Sequence, residues 1–155
     1  MKFHIKKKIL SQLKDLRYAN LQRKTHVRLK KSLFLERILW KFVEMGVIST
    51  YHEDGEDRSF FRVFLKYDTF RGKGLLSEME IGLGENYRWS DLAKKASSTE
   101  SWKKSSKKRG FVRRVSKTTL NGMVFTVSQE GGTLLTGDEC VKKGIGGLYL
   151  CTIYF

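Results

Sequence analysis

Proline is absent from this 155-residue chain. Average usage of about 5% would supply roughly eight, so Pro-rich linkers and polyproline ligands are excluded. Cysteine is scarce. Cys140 and Cys151 are too few for a disulfide framework, and no second ligand pair stands near them at zinc-site spacing. They are expected to be reduced, buried thiols. No run of eighteen apolar residues occurs, which excludes a helical membrane span. Lys6, Lys7 and Lys8 break the apolar start that a secretory signal requires. Catalytic signatures are missing as well: there is no nucleophile elbow, phosphate-binding loop or dinucleotide fingerprint. The stretch Gly144-Ile145-Gly146-Gly147 lacks the trailing glycine and follows a helical pattern, not a strand. His4, His26 and His52 are isolated in sequence and are expected on the surface or facing a bound partner. No enzyme, cofactor, metal or small-molecule substrate is expected. Acid is in short supply too, with 16 Asp and Glu against 31 Lys and Arg, for a formal charge of +15.

What is present is a globular composition, 40% hydrophobic and 12% aromatic. A chain of this length can bury roughly two-thirds of its unfolded surface. Its charge is concentrated: residues 1–31 carry +10 and residues 94–117 carry +9, while 32–93 carry −3 and the stretch from 118 onward −1. Two basic segments around near-neutral sequence point to faces that meet a polyanion. Nucleic acid is favoured over anionic lipid because 94–117 lacks the broad apolar face of an interfacial helix. Lys30, Lys31, Arg113 and Arg114 are the expected phosphate contacts. Two readings from other classes compete. One is an RNA-processing or RNA-modifying enzyme, which needs acid and base groups converging in a pocket; the other is a nonspecific nucleic-acid architectural protein. The basic start also invites comparison with a transit peptide. Such peptides are Arg-rich, whereas the basic residues up to Lys14 are all lysine, so the segment is expected to belong to the fold.

Ile5, Ile9, Leu13 and Leu16 recur at helical spacing, which predicts a first helix. Thr25–Leu29 reads as a short strand. Ser32 then stands as N-cap to a second helix ending near Met45, with Gly46 as its left-handed stop. Val47–Tyr51 and Phe60–Tyr67 are β-branched and aromatic runs separated by a polar, Gly-containing stretch, and predict a hairpin. Its acidic tip lacks the spacing of a calcium loop. Leu75–Ile81 is too brief to assign to strand or helix. Residues 82–110 are Ser- and Lys-rich, a composition unable to bury its own core, and read as a basic insertion or extended loop with one helical turn at 89–96. Strands are expected at 111–115, 123–128 and 148–154, with a Gly-Gly turn at Gly131 and Gly132. A short helix should run from Gly137 to Lys143, closed by Gly144. The sum is an α+β fold in two small lobes. An N-terminal lobe, 1–81, has helix-strand-helix-strand-strand order; a C-terminal lobe, 111–155, is mostly β with one short helix.

These residues resemble a known family, the universal small-subunit ribosomal protein number eight. The most specific stretch is the end: Gly131-Gly132-Thr133-Leu134-Leu135-Thr136, a short polar helix, then Gly144-Ile145-Gly146-Gly147-Leu148-Tyr149-Leu150-Cys151. The N-terminal half agrees in order: a helix ending in Leu16-Arg17-Tyr18-Ala19-Asn20, Ser32 opening a second helix, and Leu65-Lys66-Tyr67 closing the hairpin. The resemblance implies a primary ribosomal-RNA binder whose two lobes touch the central domain of small-subunit rRNA, with neighbouring ribosomal proteins as further partners. It implies that a Ser-Thr-Ser loop enters the RNA minor groove. The matching positions here are Ser128, Gln129 and Glu130, and only Ser128 keeps the family's residue. Gly146 and Gly147 either let a ligand approach the backbone or leave packing room where helix turns into strand. The rRNA-binding set is therefore Lys30, Lys31, Ser32, Arg113, Arg114, Ser128, Gln129, Gly131, Gly132, Gly146 and Gly147. The departures and the basic insertion point to a mitochondrial ribosome, with plastid or bacterial cytoplasm as alternatives.

Overall fold

A computed structural model describes residues 3–70, 72–82, 86–97, 117–126 and 133–154. The chain divides into two compact units, Met1–Ile81 and Gly82–Phe155, and both are of α+β character.

In the first unit, helix α1 (Phe3–Leu21) buries Ile9, Leu13 and Leu16 and exposes Lys7, Lys8 and Lys14, as the apolar spacing requires. Strand β1 (His26–Lys30) leads into α2 (Leu33–Met45). That helix starts where Ser32, in extended conformation, accepts the Leu35 N–H at 3.1 Å. It stops at Gly46, whose φ of 75° sits in the left-handed region where a glycine costs least. Strands β2 (Ile48–Glu53) and β3 (Phe60–Leu65) follow as the hairpin the sequence predicts. The sheet order is β1-β3-β2, antiparallel throughout. Leu29, Phe61, Val63 and Leu65 are buried with Leu35, Ile38, Leu39 and Phe42 of α2.

Beyond Leu65 the strand run predicted to Tyr67 breaks. Tyr67 starts a separate two-residue strand, β4 (Tyr67–Asp68), paired with β5 (Lys73–Gly74). The unassigned stretch 75–81 is neither a strand nor a helix but turns, with only Glu80–Ile81 (β6) extended. The cause is tertiary. The fully buried Asn20 side chain accepts the Leu76 N–H at 3.1 Å, replacing a ladder partner with a side chain, while Leu76 and Met79 bury themselves.

The second unit holds β7 (Asn86–Tyr87), α3 (Trp89–Ser97), α4 (Lys117–Gly122), β8 (Met123–Thr126), β9 (Leu134–Thr136), α5 (Gly137–Lys143) and β10 (Gly147–Thr152). β8 pairs with β9 and β10, and β10 with β7. Patterning foresaw α5 with its Gly144 cap, which has φ 69°. It missed α4 and β9, and it allotted a single turn to the nine-residue α3. The reason lies in the core, where Leu92 of α3 packs with Leu120, Met123, Phe125, Leu135, Cys140 and Tyr149. A helix this short is stabilised by such packing and not by its own propensity. The strand predicted at 111–115 lies outside the described residues.

Both cysteines are buried, and neither is in a disulfide. Burial pushes the Cys151 thiol up to about 12, against a usual value of 9.0, because the thiolate cannot be solvated there. The unfolded chain releases this proton above about pH 9 while the folded chain holds it, so folding stability is expected to fall as pH rises through that range. At about pH 8 a thiol reagent should modify Cys151 only once denaturant opens the fold. Rapid modification of the native chain would contradict its burial.

Candidate nucleic-acid interface

Five of the eleven expected site residues are described. Lys30 ends β1 and is exposed. Lys31 is occupied: its Nζ lies 2.5 Å from Glu53 Oε1 and 5.3 Å from the Phe61 ring centroid. Hydrogen bonding and charge from Lys31 hold the Glu53 carboxyl below its usual range. The Ser32 hydroxyl is taken up in capping α2. At the β1–α2 junction, then, Lys30 is exposed, while Lys31 pairs with Glu53 and Ser32 caps α2 on either side of the chain turn.

Gly146 and Gly147 enter β10. A Cβ on Gly146 would overlap the Tyr87 carbonyl oxygen and lie 3.1 Å from the Arg88 Cα and the Trp89 nitrogen. One on Gly147 would lie 3.0 Å from the Phe125 Cβ and 3.1 Å from the Thr126 oxygen. The room left by these glycines is taken up by the protein's own backbone. The same strand crossing is pinned by Trp89, whose indole N–H donates to the Val141 carbonyl at 3.0 Å. Tyr87, Phe125 and Tyr149 stack edge-on there, with centroids 5.5 to 5.8 Å apart. Arg113, Arg114, Ser128, Gln129, Gly131 and Gly132 lie outside the described residues.

Sequence reasoning missed a cluster on the first unit's sheet. Cross-strand register sets Arg28 of β1 opposite Arg62 of β3, which in turn faces His52 of β2. Asp54, just past β2, is buried and joins both arginines, at 2.5 Å from Arg28 Nε and 2.9 Å from Arg62. Desolvation pushes the Asp54 carboxyl up, but the Glu56 backbone N–H and the two guanidinium charges outweigh it, and the net shift is downward. A carboxylate so held stays ionised at neutral pH and makes a weak base, so the arrangement suits anion binding better than proton transfer. Strand alternation was legible from the sequence, but the registry that brings residues 28, 54 and 62 together was not.

Residues 7–154 match the profile of the family described as ribosomal protein S8. The chain belongs to the ribosomal protein S8 family. It is 27% identical over 150 residues to the small ribosomal subunit protein uS8 of Campylobacter lari, a match covering 94% of this chain and 96% of that protein. S8 membership makes the chain a ribosomal protein, of a family of structural components. The S8 match also spans both compact units, so the resemblance read from the C-terminal glycine cluster extends across the described fold.

Proposed function

We propose that this chain is a structural constituent of the small ribosomal subunit that binds the central domain of small-subunit rRNA and supports assembly of the subunit and translation. The observation that carries the reading is the family match over residues 7–154. The near-full-length similarity to a small-subunit uS8 protein supports the choice of subunit. The charge of +15, gathered in two blocks, supports an RNA partner. In this reading Lys30, Arg113 and Arg114 neutralise phosphates, which gives affinity and registration without base choice, and Lys31 is held beside Lys30 by its pair with Glu53. Ser128, Gln129, Gly131 and Gly132 line the close approach to sugar edges, where small groups exchange hydrogen bonds with 2′-hydroxyls, while Ser32, Gly146 and Gly147 are engaged within the fold and shape the backbone beside it. Neighbouring small-subunit proteins are the second class of partner. The departures at Gln129 and Glu130 and the Lys-rich stretch 94–117 support a mitochondrial ribosome as its location.

Salt titration tests the RNA partner. With about six phosphate contacts, log affinity for an rRNA central-domain fragment should fall against log salt with a slope of roughly −5. Replacing Arg113 and Arg114 by Gln should weaken binding and flatten the slope by about two. An unchanged slope removes both from the interface, and equal affinity for unrelated folded RNA overturns the assignment to rRNA.

A further inference from the structure

We propose that the open face of the β1-β3-β2 sheet is a separate site for single-stranded RNA, stacking bases on Phe60 and Phe64 and binding the intervening phosphate through Arg62 and Arg28. The site goes beyond the contact with folded rRNA proposed above and uses none of the residues assigned to it.

Burial alternates along β3, so that Phe61, Val63 and Leu65 are buried while Phe60, Arg62 and Phe64 are only partly covered on the other face. The solvated face of an antiparallel sheet is ordinarily polar; here two of its three central positions are phenylalanine. The cross-strand neighbours add to this. Phe64 faces His26 on one side, and its ring lies 5.8 Å from that imidazole and 5.2 Å from that of His52, tilted by 44° and 42°. Three flat rings thus cluster on one face of the sheet, His26 directly opposite Phe64 and His52 diagonal to it. At Phe60 the Arg28 guanidinium sits 4.9 Å above the ring centroid, a stacked cation on an aromatic.

Between the two rings lies the Arg28–Arg62 pair. Like charges directly opposite across strands destabilise a sheet, and this pair is held in place by the buried carboxylate of Asp54. A sheet that carries opposed cations flanked by partly open rings suits a ligand that is both anionic and flat. Phe60 and Phe64 stand roughly 13 Å apart along the strand at about 3.3 Å per residue, a span that takes two nucleotide steps of an extended strand and sets the backbone phosphates between the stacked bases beside Arg62. Only unpaired nucleotides offer base faces to such a platform, since a duplex hides them in its own stack. An acidic peptide would satisfy the arginines but leave the His26, Phe64 and His52 rings unused.

The test uses the full chain and fluorescein-labelled octauridylate, read by anisotropy at fixed salt. The double variant Phe60→Leu, Phe64→Leu keeps apolar volume and removes both rings. It should weaken octauridylate binding by about tenfold or more and leave affinity for the folded rRNA fragment unchanged. Photo-cross-linking of thiouridine-substituted oligonucleotide to the unmodified chain gives a second readout that does not depend on the variant folding, and the adduct should map within residues 26–64. Unchanged octauridylate affinity in a folded variant overturns the site. So do cross-links confined to other residues. Displacement by polyglutamate at equal charge concentration as readily as by unlabelled octauridylate also overturns it and points to an acidic protein partner. Octauridylate binding by the unmodified chain without affinity for the rRNA fragment would instead count against the folded-rRNA reading alone.

Discussion

Replacing Leu92 by Ala is expected to cost the second unit about 2–5 kcal/mol, seen as a lower denaturant midpoint with an unchanged slope. Leu92 has no solvent exposure. It belongs to a core cluster drawn from α4, β8, β9, α5 and β10, so the surroundings cannot all relax into the space left behind. The magnitude discriminates between two accounts of residues 82–110. In a solvated basic linker, a leucine-to-alanine change stays within about 0.5 kcal/mol. A result of that size would detach α3 from the core, and the full effect would make residues 86–97 part of the C-terminal fold, with only the stretch beyond them left as added basic sequence.

Gly146→Ala should be comparably damaging, at about 3 kcal/mol or more, because the new methyl group meets atoms that cannot rotate away. The Tyr87 carbonyl, the Arg88 Cα and the Trp89 nitrogen all belong to backbone. Relief therefore requires β7 to separate from β10, where Tyr87 pairs with Gly147. Gly144→Asn provides the contrast. No atom lies within 4 Å of a Cβ at Gly144, and only its φ of 69° disfavours a side chain; asparagine tolerates that region, so the cost should stay below about 1 kcal/mol. Thermal unfolding of the two variants ranks them directly. If Gly146→Ala instead folds as stably as the parent and loses only RNA affinity, the glycine serves a ligand and not the strand crossing.

The elements most legible in the sequence were those whose signals are local. Ser32 and Gly46 bracket α2, and Gly144 closes α5, because a cap hydroxyl or a left-handed glycine acts within one turn of its own position. The apolar spacing of α1 was equally local. Lys30, at a strand end, could be placed as an exposed cation, and its neighbours were recognised as candidates without their roles being separable. Ser32 turned out to be engaged in capping and Lys31 in a pair with Glu53, and only the folded chain shows which lysine is left facing outward.

What the sequence determined by itself was the α+β class, the hairpin, the helix caps, the two blocks of positive charge and, through the terminal glycine cluster, the S8 family. All of these reside in adjacent residues or in composition. Tertiary structure alone decided the rest. It made α3 a core helix by supplying Leu92 with neighbours up to 57 positions away, the distance to Tyr149. It turned residues 75–78 by offering the Asn20 side chain in place of a strand partner. It filled the space beside Gly146 with Tyr87, and it brought Arg28 and Arg62 of paired strands onto Asp54, just past β2. Each depends on which distant atoms arrive at a given place, and strand registry and long-range packing are set by the whole chain together.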